Sequence, residues 1–495
     1  MATGTVPLQK PVEISYYLGR FSPRPNGSDV LNAPNQITCE KREPRPFAAP
    51  WPAPAERLAT GKARRQQVPR SSHAEWKPPA NRADPIDLLT QSNQTRLTHL
   101  VPIRYGRMLD SPFAFLRGAA IVMAADLATT PVTGFRAQLC GDAHLRNFGV
   151  YASPERHLLF DINDFDETLP GPWEWDLKRL ATSFYVAGRR NGFRESDCEE
   201  AARSCGRFYR RRMREYRDMS VLDVWYSRVD AESALAIFRQ SGRKDLARQL
   251  NRARQNNTLQ ALTRIATVVD GRFQLVEHPP ILTHIHDDSL GESLRALFRG
   301  YLASLQDDRR QLVERYRFLD FALKVVGIGS VGTRCFVVLL DSSHHDDPLL
   351  LQVKQAQESV LEPYIGHSPY RNHGHRVVCG QRIMQAASDI FLGWASLGEH
   401  NCYFRILRDM KGAAEIERMS PDDFCDYAEL CGWALARAHA RSGDACLIAG
   451  YLGKAEAFDD ALAQFAKAYA DQTEQDYQAL VAAVKSGRIV AETGV

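Results

Sequence analysis

Hydrophobic and polar positions along this chain repeat with two different periods, and the places where the period changes outline the fold. Apolar residues recur at helical spacing from residues 86–89 through PFAFLRGAAIVMAADLA. Two short apolar stretches follow, GFRAQLCGDAHLRNFGVY and HLLFDINDFDET, broken by Gly and Asn, which read as strand, loop and strand. From residue 175 to about 264 the period is helical, with arginine-rich faces such as RFYRRRMREYR that read as solvated helix surface. Residues 272–283 hold a short strand-like piece, and 287–318 are again helical. The period then switches to two. ALKVVGIGSVGTRCFVVLLD and PLLLQVKQA alternate at strand spacing, 375–386 are helical, and IFLGW and CYFRILRDM make two more strands. From Pro421 onward the pattern is helical, and no internal repeat is visible. The order predicts an α+β, helix-rich chain in four parts: residues 1–85, 86–318 with one β-hairpin and a helical insert, a small antiparallel sheet over 319–415, and helices over 416–495.

Composition changes this picture mainly at the N-terminus. The first 85 residues hold 14 of the 26 prolines, and residues 1–70 carry 11 Lys or Arg against 5 Asp or Glu, so this part reads as a basic, extended segment. Its run GKARRQQVPR either drapes over the body or, the blander reading, is a solvated arm. Over 495 residues, 44% hydrophobic and 25% charged content suits two to four packed domains and excludes a disordered or fibrous chain. A net charge of +4 gives no reason to expect nucleic acid as a partner. No apolar run reaches the ~18–20 residues of a membrane span. The N-terminus has no apolar core of a secretory signal, and the ten cysteines are scattered with no CxxC pair. A cytoplasmic protein with reduced thiols is the expectation.

Gly327-Ile328-Gly329-Ser330-Val331-Gly332 fits GxGxxG. A dinucleotide-binding fingerprint needs a helix straight after the glycines. The next residues, Arg334-Cys335-Phe336-Val337-Val338, read instead as a strand, and strand–glycine turn–strand is the phosphate-covering loop of kinase-like enzymes. No GxxxxGK[ST] is present, which removes a Walker-type NTPase. Lys354 closes the next apolar strand, fourteen residues past Leu340, where a kinase places the amine that holds nucleotide phosphates. Glu358 and Glu362 are both available as its carboxylate partner, and Glu362 is the candidate taken forward.

In Gly141-Asp142-Ala143-His144-Leu145-Arg146-Asn147, an Asp is followed five residues later by an Asn that opens an apolar strand. This is the catalytic-loop spacing of kinases: the Asp accepts the proton of an attacking hydroxyl, and the Asn carbonyl is a hard oxygen donor suited to Mg²⁺. The following hairpin ends in Asp161-Ile162-Asn163-Asp164-Phe165-Asp166. Carboxylates this close raise one another's pKa, a cost that a bound cation removes.

With these residues in view, GDAHLRN resembles the GDxHxxN loop of aminoglycoside and choline phosphotransferases, and NDFDETLPGPWEWDLKRLA resembles their metal-binding segment. The twelve residues from Asp164 to Asp176 imply that Asp164 binds metal and that Asp176 is structural. Hairpin length counted forward from Asn147 favours Asp161, which stays as a second ligand or the alternative. Asp142 precedes Gly327 by 185 residues, the reverse of a linear kinase, and the helix 422–441 resembles the one that normally leads into the catalytic loop. The resemblance therefore implies a circularly permuted kinase-like fold, its C-lobe hairpin first and its N-lobe sheet later. From about residue 90 to 495, GDAHLRNFG, FDINDFDET, WEWDLKRLA, MQAASDIFLGW and ARAHARSGD resemble a bacterial family known only as a domain of unknown function, number 2252.

The expected activity is ATP- and Mg²⁺-dependent phosphoryl transfer to a small-molecule hydroxyl or amine. Gly327, Gly329, Ser330, Gly332 and Lys354 would hold the phosphates, Asn147 and Asp164 the metal, and Asp142 the acceptor. Nucleotidyl transfer or ligation on the same site, and an inactive kinase-like scaffold, remain alternatives. Arg104, Arg107 and Arg117 are a minor candidate for an anionic ligand. Glu277-His278-Pro279-Pro280 sits in the insert where such enzymes hold their acceptor. Cys140 reads as a packing residue. The clusters His284, His286, Asp287, Asp288 and His344, His345, Asp346, Asp347 read as solvated turns. No motif encodes the oligomeric state.

Overall fold

The computed structural model describes residues 51–494, apart from 256–257, 270–271, 286–289, 343–346 and 408–409. Four short strands open the described β-structure: β1 (Arg136–Leu139), β2 (Phe148–Ala152), β3 (Leu158–Ile162) and β4 (Leu169–Pro172). They pair in a nested way. β2 pairs antiparallel with β3, Phe148 opposite Ile162, while β1 pairs antiparallel with β4, Leu139 opposite Leu169. The loop leaving β1 (140–147) and the loop leaving β3 (163–168) are thereby drawn together. The sequence pattern gave only the inner hairpin, because Leu169-Pro170-Gly171-Pro172 carries too much Pro and Gly to read as a strand.

Behind these loops lies a helical body. The Trp173–Arg190 helix is buried from Trp173 through Gly188, and it packs among the Glu195–Arg217, Pro421–Ser442 and Ala457–Lys485 helices. Such all-round burial marks a central helix. The Glu195–Arg217 and Pro421–Ser442 helices approach closely enough to need a glycine: a Cβ on Gly432 would lie 2.4 Å from the Cys205 carbonyl oxygen.

The second body is a six-stranded antiparallel sheet. After the small ribbon β5 (Ala266–Val269) and β6 (Arg272–Leu275) come β7 (Leu282–His284), β8 (Arg317–Lys324), β9 (Cys335–Asp341), β10 (Pro348–Gln355), β11 (Gly393–Leu397) and β12 (His400–Ile406), in the order β11-β12-β10-β9-β8-β7. The sheet reaches back to Leu282 because β7 pairs with β8, Leu282 opposite Lys324. It thus crosses the 318/319 boundary expected from the pattern. Side-chain alternation divides its faces. Leu349, Leu351 and Val353 of β10 join the core built with Leu297 and Tyr301 of the Leu290–Ser304 helix, where the Tyr301 and Phe404 rings stack at 4.0 Å. Leu350 lies on the other face with Ala322, Val337 and Leu339, packed against Leu262 and Leu275. Lys354 shares that second face.

The expectation of an extended, solvated N-terminal arm is corrected for its described part. Pro54–Ala63 is a helix packed on the Ala445–Leu452 helix. Two arginines of the basic run reach that helix's C-terminal carbonyls: Arg65 donates to the oxygens of Tyr451 and Gly450, and Arg70 to that of Leu452 at 2.7 Å. His73 is fully buried against the Tyr451 hydroxyl at 2.8 Å. Residues 1–50 lie outside the described residues. The nine described cysteines are all free thiols. No described helix is long and apolar enough to cross a membrane.

Candidate functional site

The glycine-rich turn joins β8 to β9 as a strand–turn–strand unit, with no helix after it. Gly327 and Gly332 adopt φ of +63° and +85°, a region that side chains disfavour, so the turn needs glycine at both ends. It is pinned from outside: Arg96 Nη1 donates to the Val331 oxygen (2.6 Å), Leu97 N to the Gly332 oxygen (2.7 Å), and Arg107 Nη1 to the Gly327 oxygen (2.5 Å). Gly327, Gly329 and Ser330 line a cleft, and Asp142, Asn147 and Asp164 line the same cleft. Gly332 stands at the edge of the turn, its Cα-side space filled by the Arg96 side chain.

Lys354 enters from β10. Its Nζ is 2.5 Å from Asp166 Oδ2 and 3.8 Å from Asp164 Oδ2, although 190 residues separate Lys354 from Asp164 in sequence. Asp166 also accepts from the Tyr403 hydroxyl at 2.6 Å and from Ser330 Oγ at 3.4 Å. Burial alone would raise both carboxylates. The Lys354 ammonium overcomes this for Asp166, which lies below the usual carboxylate range, whereas burial together with the Asp166 charge keeps Asp164 above it. Lys354 is itself raised: burial opposes its charge, and Asp164 and Asp166 outweigh that.

Asp142 lies in the loop after β1. Arg179 of the central helix holds its Oδ1, Nε at 2.7 Å and Nη2 at 2.5 Å, while burial raises its pKa. Asn147 Nδ2 donates to the Asp142 carbonyl oxygen at 2.9 Å, leaving the Oδ1 end for the cleft. Asp176 fills the structural role implied by the resemblance, accepting from Cys140 N (2.8 Å) and Gly141 N (3.0 Å). Cys140 is fully buried and its thiol is pushed well up, as a packing residue requires. Asn147 and Asp164 line the same cleft and offer hard oxygen donors, the ligand type that Mg²⁺ prefers.

Two candidates are corrected. Asp161 is not in the cleft: it lies within β3, fully buried, with both oxygens 2.8 Å from Arg437 Nη2 and one accepting from Ala386 N at 2.9 Å. Strand alternation turns it toward the Pro421–Ser442 helix, whereas Asp164 follows the strand's end into the loop. Glu362 does not pair with Lys354. It accepts from Ser359 N (3.2 Å) and Ser368 N (3.0 Å), tying its own turn together. Among the described residues Glu358, Glu362 and His367 bring ligand atoms within 4.8 Å of one another, but these oxygens serve that turn and lie apart from the cleft. His286, Asp287, Asp288, His344, His345 and Asp346 fall outside the described residues, and His284 Nε2 sits 3.1 Å from Asp320.

Pattern reading missed Asp166, Tyr403, Arg179 and Arg376. Arg376, on the His373–Met384 helix, donates to the carbonyls of Thr168 (2.7 Å), Asp166 (2.8 Å) and Gln357 (2.8 Å), so it clamps the acidic loop by its backbone. The carboxylate for Lys354 comes from that loop itself. One signal was available in NDFDE: a second aspartate two residues after the metal candidate. Glu167, next in the loop, accepts from Val360 N at 2.8 Å, and burial lifts it to about 7.

A model of the family described as "Uncharacterized protein conserved in bacteria (DUF2252)" matches residues 96–483. No curated protein and no solved structure matches the chain.

Proposed function

We propose that this chain, which belongs to the DUF2252 family, is an ATP- and Mg²⁺-dependent phosphotransferase acting on a small-molecule hydroxyl or amine, built as a circularly permuted kinase-like fold. One observation carries the reading. Lys354, from the late sheet, reaches to 3.8 Å from Asp164, from the early loop, and Asp164 lines one cleft with the glycine turn, Asp142 and Asn147. An accidental ion pair would not bring the other three parts with it.

Lys354 would hold nucleotide phosphates with the protons it does not give to Asp166. Asn147 and Asp164 would hold Mg²⁺, which supplies charge neutralisation on the phosphates. Asp142, its Oδ1 fixed by Arg179, takes the acceptor proton on Oδ2 as the new O–P or N–P bond forms and ADP leaves with the electrons of the broken bond. A raised carboxylate suits that role, since a general base works best with a pKa near the ambient pH.

Thermal denaturation with and without Mg²⁺·ATP tests the reading. At 100 times the dissociation constant the ligand stabilises by about 2.7 kcal/mol, and the melting temperature should rise. Lys354→Met should lose most of that rise. An unchanged melting temperature in the native protein at saturating nucleotide, with and without Mg²⁺, would sink the proposal. Mass spectrometry then distinguishes ADP plus a phosphorylated acceptor from AMP or pyrophosphate.

A further inference from the structure

Three arginines from the segment ahead of the catalytic loop line the cleft: Arg96, Arg104 and Arg117. Two other buried guanidiniums have a carboxylate of their own: Arg179 has Asp142 and Arg437 has Asp161. These three make no ion pair among the described residues; their donors go to neutral oxygens or to none. Arg96 donates to the carbonyls of Ser92 (3.1 Å) and Val331 (2.6 Å). Arg104, 2% exposed, donates to Ser92 Oγ (3.0 Å), Asn93 Oδ1 and the Gly118 oxygen (2.7 Å), and its buried Nε has no partner. Arg117 lies over the Phe113 ring at 5.9 Å, and its buried Nε likewise has no partner.

A buried charge without a counter-ion is costly, and buried Arg104 with half-buried Arg96 and Arg117 line this cleft without one. Burial acts on all three in the same direction, lowering Arg96 to about 10 against the pull of Glu167 and Asp166 and lowering Arg104 and Arg117 as well. An incoming anion removes that cost. Planar guanidinium forks match phosphate and carboxylate oxygens in pairs. Lys354 belongs to a different part of the site, where its ammonium pairs with Asp166 and Asp164.

We propose that Arg96, Arg104 and Arg117 form an anion subsite of the cleft, separate from Lys354, that takes a phosphate or carboxylate group of a substrate. As a part of the reaction cleft the assignment rests on the proposed function, and two sources share this chemistry: an anionic acceptor and the terminal phosphate of ATP.

Titration calorimetry with inorganic phosphate on the full-length protein reads the subsite directly. Arg117→Gln and Arg104→Gln should each weaken phosphate binding by about 10- to 100-fold, the range for losing hydrogen bonds to a charged group. Arg117→Lys should recover part of it, and thermal melts would check that each variant is folded. Arg117 is less buried, so its two variants carry the test if Arg104→Gln does not fold. Mg²⁺·ADP and Mg²⁺·ATP titrations separate the sources. With an anionic acceptor, both nucleotides bind the variants as they bind the native protein; with the terminal phosphate as occupant, only Mg²⁺·ATP weakens. Arginine-dependent phosphate binding without any nucleotide binding would keep the subsite and remove the phosphotransferase reading. No phosphate binding by the native protein, or equal binding by the arginine variants, overturns the subsite.

Discussion

Asp142→Asn should bind Mg²⁺·ATP as the native protein does and turn over about 10²- to 10⁴-fold more slowly, the usual range for a general acid–base group. The geometry favours a clean separation. Asparagine keeps an oxygen for Arg179, which already spends other donors on the Leu116 carbonyl, so the loop retains its anchor. What is lost is a carboxylate that can accept a proton. Asp164→Asn should behave differently, because removing a metal-ligating charge weakens nucleotide binding along with turnover. Calorimetry for Mg²⁺·ATP and ADP release would be followed on both variants. Lost binding in Asp142→Asn with binding kept in Asp164→Asn would mean that the two roles are exchanged.

Asp161→Ala should be the most destabilising change near the cleft, by about 3–5 kcal/mol, the range for breaking one side of a buried ion pair. Arg437 and Asp161 are both fully buried, and among the described residues Arg437 pairs with no other carboxylate and its Nε and Nη1 make no hydrogen bond. Removing Asp161 leaves that charge stranded in the core of the helical body. The double variant Asp161→Ala, Arg437→Met should recover much of the loss, since an apolar pair has no charge to compensate. Denaturation midpoints in urea would measure both. A single variant as stable as the native protein would remove the structural role of Asp161 and return it to the list of metal ligands.

The elements of the cleft that short-range pattern encodes could be read without a structure. A glycine turn between two β-branched runs, a lysine closing the next strand, and an Asp–Asn pair at fixed spacing each depend on local backbone geometry. The partner of Lys354 is not legible, because it lies 188 residues away, whereas the pattern offers Glu358 and Glu362 just after the strand; Arg376 of the later His373–Met384 helix grips the acidic loop's backbone instead. Asp161 and Asp164 are three residues apart in an acidic run. Only the exact end of β3 decides which faces Arg437 and which the cleft. The basic N-terminal run misled for a similar reason: its charges meet helix carbonyls about 380 residues later, and composition cannot report contacts at that distance.

The Lys354–Asp166 contact has a consequence for how the chain is made. At about 5–20 residues per second of synthesis, the acidic loop leaves the ribosome about 10–40 s before its lysine. Through that interval the growing chain holds Asp164 and Asp166 with no ammonium to balance them. The N-terminal helix waits longer still for its seat on residues 445–452. Sequence-distant contacts slow folding because loop closure costs entropy before the contact repays it. In this chain the cleft can therefore close only after Lys354 has emerged, and the N-terminal helix is seated only after residues 445–452.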